Sequence, residues 1–364
     1  MTLEFTTTQA TERVTDEQLA KIHEAPGFGR VFTDHMVSID WTLEDGWKDA
    51  RVEPYGPLAI DPAHAVLHYG QEIFEGLKAY RHEDGSVWLF RPEENGKRLQ
   101  RSAVRMALPE LPVEDFVEAC KQLVRADEHW TPSGHEQSLY IRPFTFGNEV
   151  FLGVRAAHSA RFMVIASPVG AYFADGVKPV RIWLSEHFNR AGKGGTGSAK
   201  TGGNYASSLA PTQEAFANGC SQVLFLSSLG DRHIEELGGM NLVLVKGDGT
   251  LVTPESDTIL DGITRNSLFE LAEHLGHRTE MRPVTIDEWQ EGVESGEIVE
   301  AFACGTAAVI TPISEIVSPD GSFGWPDQEP GEVTMKLRKA LTDIQGGRAE
   351  DPFGWMVQVT EAKA

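Results

Sequence analysis

One lysine in this chain sits where a surface charge is not needed. Lys200 lies in the run Gly194-Gly195-Thr196-Gly197-Ser198-Ala199-Lys200-Thr201-Gly202-Gly203-Asn204-Tyr205, among small uncharged residues, with glycines on both sides and a tyrosine five positions on. Most lysines are solvated surface charges. Solvation does not require such a setting, because glycine serves where backbone bends tightly or another group must approach closely. A lysine lodged where water is scarce loses its proton more easily and becomes a nucleophile toward carbonyls. Lys200 is therefore the candidate Schiff-base residue.

The rest of the composition narrows the partners. At 364 residues the chain is long enough for two domains, with 41% hydrophobic and 24% charged residues, the balance of an ordinary globular protein. A formal net charge of −22 argues against nucleic acid and anionic membrane as partners. It also means that an anionic cofactor needs locally placed cations. Cys120, Cys220 and Cys304 are far apart with no CxxC, so neither a disulfide scaffold nor a zinc site is indicated, no metal is expected, and a reducing, cytoplasmic compartment fits. The first residues lack the basic and apolar regions of a signal peptide. The longest mostly apolar run, 162–174, is too short to span a bilayer.

Along the chain, 28–41 alternates loosely and reads as strand, and 86–90, 138–146 and 160–167 read as strands around helices at 94–106 and 115–130. Cys120 lies at helical spacing with Phe116, Leu123 and Val124 and reads as a packed small hydrophobe. A Gly-, Ala- and Pro-rich stretch follows. The predicted division is a small N-terminal α/β domain over 1–173, a linker over 174–187 and a larger C-terminal domain over 188–364. In the second half a strand at 180–185 precedes the Lys200 loop. A helix over 204–218 is expected to bury Leu209, Thr212 and Phe216. Strands at 221–227 and 241–246 flank a turn holding Glu235 and Glu236. Gly262-Ile263-Thr264 opens a helix that stops at Gly276, Thr285–Glu288 reads as a capping box, and a last helix covers 331–344. Mixed strands and helices in both halves predict an α/β (α+β) protein.

A Schiff-base lysine suggests pyridoxal 5'-phosphate, which needs a phosphate cradle, partners for the pyridine nitrogen and the ring hydroxyl, and a substrate pocket. Phosphate is well held at a helix N-terminus, and Gly262-Ile263-Thr264 fits that role, although a simply capped helix would look the same. The arginine that completes the cradle is open among Arg91, Arg98, Arg101, Arg105 and Arg142. Glu236 is a candidate for the ring nitrogen and Tyr205 for the ring hydroxyl, each with an ordinary alternative: a solvated glutamate pair and a core tyrosine.

Taken together, the runs FGxxFTDHM, LHYGxxIFEGLKAY, KRLxRSAxRMxLP, SLYIRPF, GAYF, KTGGNYASSL, EELGGMNLV, LDGITRNSL and ACGTAAVITP resemble the branched-chain amino-acid aminotransferases of fold type IV, in order and over nearly the whole chain. The resemblance implies a two-domain fold with pyridoxal phosphate at the domain interface. It implies that Lys200 carries the cofactor, Tyr205 contacts the ring hydroxyl and Glu236 pairs with the pyridine nitrogen. Arg98 becomes the phosphate arginine, joined by Ile263, Thr264 and Thr306. Arg142 resembles the residue that receives the side-chain carboxylate of glutamate. Tyr69, Phe74, Tyr140 and Tyr172, with Phe28 nearby, would form the apolar wall around a leucine, isoleucine or valine side chain. The substrate α-carboxylate would lie against the Thr306-Ala307 backbone and the Tyr69 hydroxyl. Leu152 and Val154 resemble residues that reach into a neighbouring subunit's pocket, which implies a homodimer. Mammalian members carry a CxxC after the Gly-Thr-Ala turn. Ala308 and Thr311 stand there in this chain, so no thiol switch is expected. A D-amino-acid or amine aminotransferase, or an aminodeoxychorismate-lyase-like enzyme, would share Lys200, Glu236 and the phosphate cradle and differ in the pocket.

Overall fold

A computed structural model describes residues 3–171 and 176–362 of the chain. These divide into two compact units. The first holds the residues up to 171 together with Ala199–Gly202 and the chain from Asp343 onward, and the second holds the intervening residues through Thr342.

The first unit is built on a nine-stranded sheet in the order Thr6–Thr7, Gly46–Pro54, His35–Thr42, Ser159–Val169, Ser138–Gly147, Leu77–Arg81, Val87–Phe90 and Met356–Thr360, with Glu72–Phe74 added beside Ser138–Gly147. The pairing is antiparallel except at Thr6–Thr7. Helix Val113–Ala126 has Glu114 and Asp115 in its first turn, where carboxylates favour the helix dipole. It buries Phe116, Cys120, Leu123 and Val124 in one core with Val37, Ile39 and Phe162. Strand Ser138–Gly147 alternates, with Leu139, Ile141, Pro143 and Thr145 buried and Tyr140, Arg142 and Phe144 half-buried on the other face. That period of two sets Tyr140 and Arg142 side by side.

The second unit has its own nine-stranded sheet: Ile234–Leu237, Gln222–Leu226, Val180–Ser185, Val309–Ser318, Ile298–Gly305, Asn241–Lys246, Leu251–Pro254 and Thr279–Arg282, with Gly321–Gly324 beside Val309–Ser318. Parallel pairs flank Val180–Ser185 on both sides. Its core gathers Ile182, Leu224, Leu242, Trp289, Ile298 and Ile316. Among the described residues, no helix is long and apolar enough to cross a membrane.

Several expectations change. The linker expected over 174–187 contains Val180–Ser185, an interior strand of the second sheet, and the C-terminal strand Met356–Thr360 pairs with Val87–Phe90 in the first. Strand begins only at His35, and Phe28, ahead of it, lies with its ring against Tyr140. Glu235 and Glu236 lie in strand Ile234–Leu237 and not in a turn. The helix expected over 204–218 is two helices, Gly202–Ala206 and Leu209–Ala217. The Ser207 and Ser208 hydroxyls donate to Asn204 O (2.8 and 3.2 Å) at the break, competing with the helical pattern. Pro211 is accommodated in the first turn of the second helix, where its missing N–H is not needed. That helix buries Pro211 and Ala215, four residues apart, so Leu209 and Phe216 are exposed rather than buried. Only half of the capping box forms: Thr285 Oγ1 accepts from the Glu288 N–H (3.1 Å), but the Glu288 carboxylate pairs with Arg282 (2.5 Å).

Helix Glu332–Gln345 starts against a strand carboxylate. Glu300 Oε1 accepts from Val333 N–H (3.1 Å), and Oε2 accepts from the Thr334 N–H (2.9 Å) and hydroxyl (2.7 Å). Removing it leaves helix-start donors without their acceptor. Glu300→Ala is expected to lower stability by about 1–3 kcal/mol, read as a lower urea midpoint at unchanged slope. An unchanged midpoint would show that the contact is energetically neutral.

Candidate active site

In the first unit, Lys200 is fixed at its backbone before its side chain is considered. Its N–H donates to Ser102 Oγ (3.0 Å) and its carbonyl accepts from the Phe74 N–H (2.9 Å). Its Nζ lies 4.7 Å from the centre of the Phe74 ring. The residue as a whole is half-buried, but its amine is desolvated, and its pKa falls to about 8. Burial is the largest cause, followed by the Arg98 charge; Glu75 and Tyr140 pull the other way, and Arg142 adds to the lowering. Such an amine gives up its proton far more readily than an ordinary lysine and is the more nucleophilic for it.

Arg98 is buried and bound in a fork by Glu75, which is also buried: Nε to Oε1 and Nη2 to Oε2, both at 2.7 Å. Asn95 Nδ2 donates to the same carboxylate (2.8 Å). Asn95, Arg98 and Ser102 lie three and four residues apart on helix Pro92–Arg105 and all three are buried, so one helix face orients the arginine and holds the Lys200 backbone.

On strand Ser138–Gly147, Arg142 Nη2 donates to the Tyr140 hydroxyl (2.9 Å). The guanidinium carbon lies 4.7 Å from the centre of Phe74 and 5.4 Å from that of Tyr140, a cation against two aromatic faces. Its Nε is buried with no hydrogen-bond partner among the described residues. Phe28 tilts against Tyr140 with ring centres 5.2 Å apart. Gly76 is required here, because a Cβ on it would lie 2.2 Å from the Tyr140 hydroxyl oxygen. Lys200, Arg98, Phe74, Tyr140, Arg142 and Phe28 are thus gathered in this unit.

Tyr69 is set apart from that group: it is exposed, and its hydroxyl donates to the Leu152 carbonyl. The Leu152 and Val154 side chains are also exposed. Tyr172 lies outside the described residues.

In the second unit, Glu236 is buried and pairs with Arg190 (2.7 Å). It also accepts from Leu260 N–H (2.8 Å) and Asn241 Nδ2 (3.2 Å). Glu235, on the opposite face of the strand, accepts from the Thr258 hydroxyl (2.5 Å), and burial raises its pKa. Both glutamates are therefore buried, and neither is the solvated residue that an adjacent pair suggests. Helix Ile263–His274 begins at Gly262 with no side-chain cap, and Ile263 and Thr264 are buried at its first turn. A Cβ on Gly262 would lie 1.8 Å from Asn241 Oδ1, so the glycine admits the asparagine that holds Glu236. An uncapped helix start is an anion site in waiting, and its donors suit a phosphate. Tyr205 is half-buried on helix Gly202–Ala206.

Thr306 and Ala307 lie in the three-residue connection between strands Ile298–Gly305 and Val309–Ser318, which pair at Gly305 and Val309. Val309 has φ of 63°, rare for a β-branched residue and costing about 1–3 kcal/mol. Cys304, just before the turn, is buried with its thiol pushed up to about 12, so it is not a reactive thiolate.

Glu75, Glu72, Asn95 and Ser102 around Lys200 in the first unit, and Arg190 and Asn241 around Glu236 in the second, come from the structure alone. The first lies inside the FEGLKAY run, and the spacing of Asn95, Arg98 and Ser102 on one helix is the sequence signal available for two others.

Residues 72–316 match the family model described as amino-transferase class IV. The chain is 54% identical to the branched-chain-amino-acid aminotransferase of Mycolicibacterium smegmatis, over 98% of each chain. It is 48% identical to branched-chain-amino-acid aminotransferase 2 of Bacillus subtilis, over 92% of this chain and 93% of that one. Among solved structures it is similar to the branched-chain amino acid aminotransferase of Escherichia coli. That likeness has a TM-score of 0.73 at 30% identity, covering 89% of this chain and 100% of that one. The chain belongs to the class IV aminotransferases, and within them to the branched-chain amino-acid aminotransferase family.

The lowered pKa has a direct consequence. In cofactor-free protein, acylation of Lys200 should follow a titration with its midpoint near pH 8, slow below and fast above, while ordinary lysines titrate near 10.4. Mass-spectrometric labelling across pH would measure it. A Lys200 midpoint among the ordinary lysines would remove the case for a desolvated amine.

Proposed function

We propose that this chain reversibly transfers the amino group of L-leucine, L-isoleucine or L-valine to 2-oxoglutarate, giving the 2-oxo acid and L-glutamate, with pyridoxal 5'-phosphate as cofactor. The observation that carries the reading is the lowered amine of Lys200 facing Phe74, with Arg142 over the same ring and hydrogen-bonded to Tyr140. Bound pyridoxal phosphate supplies a carbonyl that condenses with amines and a ring that draws electrons from the substrate α-carbon.

The residues take the following roles. Lys200 Nζ holds the cofactor between turnovers, then takes the substrate α-proton and returns it. Arg98, the helix start at Ile263 and Thr264, and Thr306 hold the phosphate. The Glu236 carboxylate, oriented by Arg190 and Asn241, holds the proton on the pyridine nitrogen, and Tyr205 donates to the ring hydroxyl. Phe28, Phe74, Tyr140 and Tyr172 wall the side-chain pocket, and Tyr69, set apart from them and bonded to Leu152 in the single chain, would join that wall when substrate binds. Arg142 receives the distal carboxylate of glutamate, because a carboxylate placed among aromatic rings without a partner would be prohibitively costly. The Thr306-Ala307 backbone receives the α-carboxylate. The two half-reactions would share one pocket, with amino acid and 2-oxo acid bound in turn.

Leu152 and Val154, exposed in the single chain, would complete the pocket of a second copy in a homodimer, and the protein would work in the cytoplasm. A D-amino-acid or amine specificity needs no different lysine, so substrate choice is the discriminating assay. With 2-oxoglutarate as acceptor, L-leucine and L-valine are expected to be donors and D-alanine to be inert; turnover of D-alanine with none of L-leucine would reject the reading. Arg142→Ala is expected to reduce kcat/KM by about tenfold or more for L-glutamate, as loss of a buried charge partner implies, and by less for L-leucine. Equal losses would give the arginine another role.

A further inference from the structure

Strand Glu72–Phe74 is three residues long and pairs with Phe144–Phe146 of the neighbouring strand. Ile73 points into the core, fully buried, while Glu72 and Phe74 share the opposite, half-buried face. Both residues on that face engage the segment around Lys200. The Phe74 N–H donates to the Lys200 carbonyl (2.9 Å). The Glu72 Oε1 accepts from the Thr201 hydroxyl (3.1 Å) and from the Gly202 N–H, so one carboxylate oxygen gathers the two residues that follow the lysine. We propose that Glu72 is a positioning residue for the reaction, fixing the peptide after Lys200 so that the amine stays over the Phe74 ring while it exchanges protons with substrate.

Two further observations support this role. The Glu72 carboxyl carries a raised pKa from burial, opposed by the Gly202 and Thr201 donors and by the nearby Arg142 charge. Burial outweighs those donors in setting its protonation, while the donors themselves fix where the carboxyl lies. Second, Ser102 holds the Lys200 N–H from the other side, so without Glu72 the backbone is held before and at the lysine but released after it. The Glu72 carboxylate bonds the residues after the lysine, and so it acts on the reaction through the placement of Lys200.

This inference rests on Lys200 being the reacting amine, which Lys200→Ala tests independently: turnover by that variant would defeat the functional reading itself. The test of Glu72 uses the holoenzyme as Glu72→Ala and Glu72→Gln, with steady-state kinetics on L-leucine and amide hydrogen exchange of the segment 199–203. Glu72→Ala is expected to lower kcat by about 10- to 100-fold with KM little changed, the size expected when a reacting group is displaced by about 1 Å. Exchange at 199–203 should rise roughly tenfold while the rest of the protein is unaffected. Glu72→Gln keeps a carbonyl acceptor for Gly202 and Thr201 and should restore most of both. The inference is overturned if Glu72→Ala turns over like the parent, if kcat falls without faster exchange at 199–203, or if Glu72→Gln is as impaired as Glu72→Ala.

Discussion

An ammonium group taken out of water next to two guanidinium groups is poorly stabilised as a cation, and Lys200 is in that position. Desolvation comes first and the Arg98 charge second in lowering it to about 8. The first unit tolerates this because the buried charge beside it is compensated: Arg98 is held in a fork by Glu75, with Asn95 on the same carboxylate. Removing one member of such a pair is strongly destabilising, about 3–5 kcal/mol, whereas the intact arrangement leaves a fixed positive field beside the amine. The backbone bonds to Ser102 and Phe74 then decide where that field is felt.

The second unit solves a parallel problem with a carboxylate. Glu236 is buried on a strand, and Arg190, Asn241 and the Leu260 N–H fix its orientation. Asn241 reaches it only because Gly262 has no side chain. One glycine thus permits both the held carboxylate and the uncapped helix start at Ile263. The left-handed Val309 after the Thr306-Ala307 turn is strain at a place assigned to ligand binding, where such strain tends to be kept.

Much of this is legible in the sequence, but unevenly. Lys200 stands out through its glycine-rich setting, and the helix at Ile263 through its opening glycine and hydrophobic spacing. Both are local signals. The choice of Arg98 among five arginines depends on Glu75, 23 residues away and outside its helix, and so comes only from family likeness. Phe28 reads as strand because alternation is local, while its contact with Tyr140 is not. Leu209 and Phe216 read as core because helical spacing shows that a face is apolar but not which face is covered. The membership of Lys200 in the first compact unit follows from hydrogen bonds that its segment makes to Ser102, Phe74 and Glu72, which no periodicity encodes.

The central claim is that Lys200 is the residue that bonds the cofactor. Reducing the holoenzyme with borohydride and mapping the modified peptide by mass spectrometry tests it most directly. A phosphopyridoxyl group is expected on Lys200 and on no other lysine. Modification of a different lysine, or none at all in protein that carries the cofactor, would contradict it.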